Sequence, residues 1–235
     1  MPKTKASYWV PALIGGMIGA LLTVAALFAL PGSMTARIVR SAMLADPAIL
    51  SDTADALRDA QYAPVLEANR AAIEQPFASS WRGAAKGDVT VVEFFDYACP
   101  YCKASNPDID RLVAEDKGVR VVYRELPILG PDSVTAARLS LAASKAGRFN
   151  QFHDALWAAG KPGPETFARA SAAAGIAPVP TNDADIEGEL KRNFDLAGKL
   201  GATGTPLFIV GDRVISGAAG YESLKAAVAA AREAD

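Results

Sequence analysis

Val89-Thr90-Val91-Val92-Glu93-Phe94-Phe95-Asp96-Tyr97-Ala98-Cys99-Pro100-Tyr101-Cys102 is the stretch that decides the fold. Its first seven residues are mostly β-branched, apolar and aromatic, and they read as a buried strand. Pro100 removes one N–H and presets φ for a first helical turn. The residues from Lys103 onward continue as a helix. Cys99 and Cys102 are the whole cysteine inventory of the chain. Any disulfide formed within the chain is therefore this one.

A C-x-x-C at a strand-to-helix turn is the redox signature of a thioredoxin-like fold. A cysteine at a helix N-terminus meets free backbone N–H groups and the positive end of the dipole. Both favour thiolate over thiol. Cys99 is therefore the expected attacking or attacked sulfur. Cys102, one turn inside the helix, is the expected resolving partner that closes or opens the internal disulfide. Tyr101 adds an aromatic ring between them but no cation. Structural zinc is a poor alternative, because it needs four ligands. His153 is the only histidine, and no second C-x-x-C exists. His153 itself reads as a packing or helix-surface residue rather than a catalyst.

Composition sets the outer bounds. The chain has 235 residues, 51% hydrophobic and 21% charged, with a net charge of −2. That fits one globular domain with additions. The charge balance gives no argument for nucleic acid, and the motifs call for no cofactor and no metal.

Outward toward the N-terminus, Lys3 and Lys5 precede the uncharged run Tyr8–Leu30. As a helix this run covers roughly 34 Å, enough to span a bilayer core. Residues 1–32 are expected to be a signal anchor in the inner membrane, with a cleaved signal peptide as the competing reading. Lys3 and Lys5 place the N-terminus in the cytoplasm, although Arg37 and Arg40 just beyond the span oppose this. A working dithiol suits the oxidising side of that membrane. Gly15-x-x-x-Gly19 is a weak helix-packing signal.

Residues 33–82 read as a helical extension punctuated by proline. Asp46 caps a helix with Pro47 at its first position. Ala63-Pro64 is expected to break that helix. The apolar stripe is too narrow to fold alone, so the segment must pack on the main domain, on another copy of itself, or form a stalk. Self-association is the expected outcome. Trp81–Asp88 reads as a joint. Residues 83–235 then form the catalytic domain. Val119–Glu125 alternates as a second strand. Helical patterns follow from Ser133 to about Gly147, then over Phe149–Ala159, Pro164–Ala174 and Asp185–Leu200. Leu207–Val210 and Arg213–Ser216 read as a hairpin, and Tyr221–Ala234 as a closing helix. The expected fold class is α/β, a thioredoxin-like fold with a helical insertion at about 131–197.

The stretch Val92–Lys103 resembles the active site of the DsbA-like thiol:disulfide oxidoreductases. Gly201-Ala202-Thr203-Gly204-Thr205-Pro206 resembles that family's cis-proline loop, and Phe152–Leu156 lies in a similar helical block. The resemblance runs from about Asp88 to Ala231. The extension with Asp46-Pro47 is similar to that of the suppressor-of-copper-sensitivity C proteins, where such a segment can mediate oligomerisation.

The resemblance implies a cis Thr205–Pro206 bond. That turn would set the Thr205 backbone beside Cys99 and offer β-type hydrogen bonds to a substrate strand. It implies that Glu93 accepts or relays the proton of Cys102; a strand-end carboxylate paired with a surface base is the other reading of Glu93. Thr205, Pro206, Pro100 and Tyr101 would contact substrate. The implied partners are unfolded or misfolded secreted proteins, a DsbB-like or DsbD-like membrane redox partner, and further copies of the chain. The implied activity is protein thiol:disulfide exchange, as oxidase or isomerase. The alternative is a membrane-tethered copper(I)-binding or redox-sensing protein using two soft thiolates.

Overall fold

Among the described residues five strands form one mixed sheet, in the spatial order Trp81–Gly83, Val119–Glu125, Val89–Phe95, Leu207–Val210, Arg213–Ser216. The computed structural model describes residues 32–176 and 183–234. The expected anchor lies, but for Gly32, outside the described residues. Among those residues no helix is long and apolar enough to cross a membrane.

The described residues open with α1 (Gly32–Ala45), α2 (Ala48–Glu74) and the short β1 (Trp81–Gly83). The unit that carries the C-x-x-C follows as β2 (Val89–Phe95), α3 (Pro100–Glu115) and β3 (Val119–Glu125). Four helices come next: α4 (Pro131–Lys145), α5 (Phe149–Ala159), α6 (Pro164–Ala174) and α7 (Ala184–Lys199). The hairpin β4 (Leu207–Val210) and β5 (Arg213–Ser216) and the helix α8 (Tyr221–Ala234) close the domain.

Strand β2 is central because nearly every residue in it is apolar and buried, the pattern of a strand covered on both faces. It runs parallel to β3 through the α3 crossover and antiparallel to β4. One sheet face carries Val91, Phe95, Val121 and Tyr123 and packs on α3, α8 and the inserted α4–α6 through Ile109, Leu224 and Phe152. The other carries Val92, Phe94, Val122, Leu207 and Ile209. That second face is sealed by Leu66 and Ile73 of α2 and by Leu196 and Leu200 around α7.

Three expectations are corrected here. Helix α2 continues through Pro64 rather than ending there. An interior proline costs about 3 kcal/mol; burial of Leu66 and Ile73 just beyond it opposes that cost. Second, Trp81–Gly83 is a strand and not a joint, pairing antiparallel with β3 from Trp81 opposite Val122 to Gly83 opposite Arg120. Third, the chain divides into one unit through Ala56 and another from Leu57 to Asp235. The second half of α2 thus belongs with the sheet-containing unit, although the sequence places the domain start at 83. Arg124 explains the tie. Its guanidinium bonds the carbonyls of Ile73 (2.8 Å), Gln75 (2.6 Å) and Ala72, satisfying the last turn of α2. It also bonds Glu189 and Asn193 of α7, each at 2.9 Å.

In the first unit, Asp46 Oδ1 accepts the Ala48 N–H at 3.1 Å, the cap expected from the sequence. Met34, Ile38, Val39, Leu44, Ile49 and Leu50 are all exposed on its helices.

Candidate active site

Strand β2 ends at Phe95 and α3 begins at Pro100, so a four-residue turn carries Cys99 to the helix N-cap. The turn is held by the Cys99 N–H donating to the Asp96 carbonyl at 2.9 Å. Both cysteines are free thiols. Cys99 retains 4% of its surface and Cys102 none, so only Cys99 is open to a partner in solution. Pro100 and Tyr101 between them are exposed, Tyr101 to 64%.

The Thr205–Pro206 peptide is cis. Thr205 sits at the entry to β4, which pairs with β2, and this pairing brings its carbonyl over the helix start. The Cys99 thiol donates to that carbonyl at 3.2 Å. Residues 106 positions apart thus meet at one sulfur.

Glu93 lies on β2 behind the cysteines, fully enclosed, and neither carboxyl oxygen has a hydrogen-bond partner. Burial, with the nearby Cys99 adding to it, pushes the Glu93 carboxyl up to about 8. Burial also pushes the Cys102 thiol well up, and the neighbouring Glu93 raises it further. The two groups are therefore coupled. The paired surface base that the sequence left open for Glu93 is not there.

A stability consequence follows for Glu93. Its proton is held in the folded chain up to about 8 but released near 4.3 when unfolded. Stability from this group is complete at low pH and is lost as pH rises toward 8. Glu93→Gln keeps the group neutral at every pH. It should stabilise the protein by about 3 kcal/mol at neutral pH, and the gain should vanish by about pH 4. Urea unfolding across that range checks this; a gain that persists undiminished in acid contradicts it.

Asp96 braces the site. Its Oδ1 accepts the Ala98 N–H at 2.7 Å. Its Oδ2 accepts the N–H groups of Ile128 (2.8 Å) and Leu129 (2.9 Å). His153 is buried, stacks among Phe95, Tyr97, Tyr123 and Phe149, and sits behind the site as a packing residue. Among the described residues no group of three or more His, Cys, Asp or Glu is placed to hold a metal.

The family model for the DSBA-like thioredoxin domain matches residues 90–229, more than half of the chain. The chain belongs to the DsbA-like family. Members of this family are thiol:disulfide oxidoreductases of thioredoxin-like fold, and the sheet and C-x-x-C helix of this DsbA-like chain agree with that. It is similar to Proteus mirabilis ScsC in a transitional conformation, with 27% identity and a TM-score of 0.68 over 88% of this chain and 99% of that one. It is similar to the thiol-disulfide exchange protein alpha-DsbA2 from Wolbachia pipientis, with 27% identity and a TM-score of 0.68 over 74% and 97%. It is 33% identical, with a TM-score of 0.64, to a periplasmic thioredoxin-like protein from Salmonella enterica serovar Typhimurium, over 69% and 94%. Among curated proteins, Na(+)/H(+) antiporter NhaA 3 of Salinispora tropica is 31% identical over 165 residues, 64% of this chain. The matched part is 24% of the antiporter's length.

The sequence missed Asp96, Glu125 and Arg124 as parts of this architecture. The signal was present for the last two. In a strand whose alternate residues are Val119, Val121 and Tyr123 on one face and Val122 on the other, a carboxylate at 125 and a guanidinium at 124 occupy core-facing positions.

Proposed function

We propose that this DsbA-like protein exchanges disulfides with secreted proteins in the periplasm through Cys99. The observation that carries the proposal is the Cys99 thiol at a helix N-cap, 3.2 Å from the Thr205 carbonyl, with Cys102 sealed one turn behind. In the reducing direction, the Cys99 thiolate attacks a substrate disulfide and one substrate thiolate leaves. Cys102 then gives its proton to the Glu93 carboxylate, and its sulfur attacks Cys99. The Cys99–Cys102 bond forms, the mixed disulfide breaks, and the second substrate thiolate departs. The substrate gains the two electrons that the dithiol loses. Oxidation of a substrate is the reverse, with neutral Glu93 returning the proton to Cys102. A carboxyl near 8 suits both roles, because general acid–base groups work best near ambient pH. Thr205, Pro206, Pro100 and Tyr101 would present backbone and apolar surface to the extended substrate strand.

Residues 1–32 would anchor the protein in the inner membrane, facing a DsbB-like or DsbD-like redox partner; the uncharged Tyr8–Leu30 run supports this. The exposed apolar side chains of α1 and early α2 support self-association of the extension. That favours an isomerase, which holds a substrate between copies, over a simple oxidase.

Turnover tests the class. The reduced chain should accelerate insulin reduction, and scrambled ribonuclease should regain activity with it under a glutathione buffer. Tight copper(I) uptake with negligible turnover in both assays would instead establish the metal-binding alternative.

A further inference from the structure

Behind the active site a chain of buried polar side chains ends on a second carboxyl. Trp157 Nε1–H, which can only donate, bonds His153 Nε2 at 3.1 Å. Burial and the Arg82 charge hold His153 neutral, so its remaining proton is on Nδ1. That N–H therefore donates to the Tyr97 hydroxyl at 3.0 Å, and Tyr97 donates onward to Ser140 Oγ at 3.0 Å. Ser140 in turn faces the Glu125 carboxyl. The donors of Trp157, His153 and Tyr97 all point toward that end of the series. Glu125 Oε1 is buried with no partner.

The strand register places Glu125 relative to Glu93. Glu93 is opposite Tyr123 and Phe95 is opposite Glu125 in the parallel β2–β3 pair. Residues in register, and residues two apart, share a face. Glu93 and Glu125 are therefore diagonal neighbours on the same buried face. Their backbones are about 8 Å apart by ordinary sheet spacing, within reach of two glutamate side chains. Both Glu93 oxygens lack partners as well.

We propose that Glu125 is a positioning residue of the exchange reaction, a neutral acid whose O–H is turned by the Trp157–His153–Tyr97–Ser140 chain to donate to the Glu93 carboxylate. It rests on the exchange reading above and adds a residue to it. Burial, with Asp96, Glu93 and Glu189 nearby, keeps Glu125 protonated. A neutral acid beside a carboxylate stabilises that carboxylate by donation. Glu125 thereby favours the ionised Glu93 that must receive the Cys102 proton.

The charged and titratable groups facing the pair are few. Glu93 faces Cys99 and Cys102 from α3 and Tyr123 from β3. Glu125 faces Asp96 from the active-site turn, Tyr97 through Ser140, and Glu189 from α7. Glu189 is itself paired with Arg124 and Arg192. Asp96 is bonded by three backbone N–H groups.

The test follows Cys99–Cys102 disulfide formation when the reduced full chain is mixed with oxidised glutathione, over roughly pH 5 to 10. Glu125→Met removes the donor, and the acid-side midpoint should move up by about one pH unit, a roughly tenfold slower second step below it. Glu125→Gln restores an N–H donor and should keep the native midpoint. In a Glu93→Gln background, Glu125→Met should shift nothing further. Tyr97→Phe, which frees Ser140 to draw the Glu125 O–H away, should shift the midpoint in the same direction and serves if Glu125→Met does not fold. A purely structural role would lower stability without moving the midpoint. Superimposed profiles for the native chain and Glu125→Met, or equal shifts for Met and Gln, would overturn the inference alone. A native chain that forms no disulfide overturns the exchange reading with it.

Discussion

Cys102→Ala should freeze the protein on its substrates as mixed disulfides, whereas Cys99→Ala should leave no exchange above the background of buffer thiols. The asymmetry follows from burial. Cys99 keeps a little exposed surface at the N-cap, and Cys102 keeps none. Only Cys99 can meet an external disulfide, so its loss removes the first step. Without Cys102 that step proceeds and its product has no internal sulfur to release it. Glu93→Gln should give a partial trap, with release slowed on the order of 10²-fold through lost proton transfer. Non-reducing electrophoresis and intact mass of the adducts read all three. Equal loss in both cysteine variants, with no adduct, would contradict the assigned roles.

Removing residues before 86 should unfold or severely weaken the domain, while removing those before 57 should not. A fragment of 86–235 loses Leu66 and Ile73, which are 1% exposed and seal the face formed by Val92, Phe94, Val122, Leu207 and Ile209. Each such side chain is worth about 1.5–3 kcal/mol on burial, so the loss is about 3–6 kcal/mol. A whole domain has only about 5–15 kcal/mol to lose. Arg124 would also lose its carbonyl partners Ala72 and Ile73 of α2 and Gln75 just beyond it, leaving a buried cation less satisfied. Urea unfolding should show a much lower midpoint for 86–235 than for 57–235. Sedimentation separates the other half of the extension. Residues 33–235 should self-associate and 57–235 should be monomeric. Equal midpoints for the two fragments, or equal mass for 33–235 and 57–235, would defeat these expectations.

The strands Val89–Phe95, Val119–Glu125 and Leu207–Val210 were legible because each is a mostly buried, β-branched or apolar run bounded by turn residues, and Arg213–Ser216, where only Val214 is buried, was legible as the hairpin partner across Gly211-Asp212. The cysteine pair was legible because the chemistry needs only two residues and a turn. What was not legible depends on partners distant in the chain. Trp81–Gly83 is too short to show a period, and it becomes a strand only because β3 offers a free edge. Pro64 reads as a breaker because local propensity cannot see Leu66 and Ile73 docking on the sheet. The core-facing position of Arg124 can be read from the strand, but its partners cannot, because Glu189 and the end of α2 lie 65 and about 50 residues away in sequence. The polar series behind Glu125 has the same character, linking α5, the Cys99 turn and α4.

The brace at Asp96 has a bearing on how a polypeptide is captured. Ile128 and Leu129 are 42% and 52% exposed, yet their backbones are stitched to the same carboxylate that secures Ala98, one residue before the reactive sulfur. The greasy ledge and the Cys99 turn are thus parts of a single stiff fitting rather than two separately held loops. If Cys99 exchanges disulfides as proposed, a segment that settled on the ledge would arrive already registered against the sulfur, with little ordering left to do at the moment of contact.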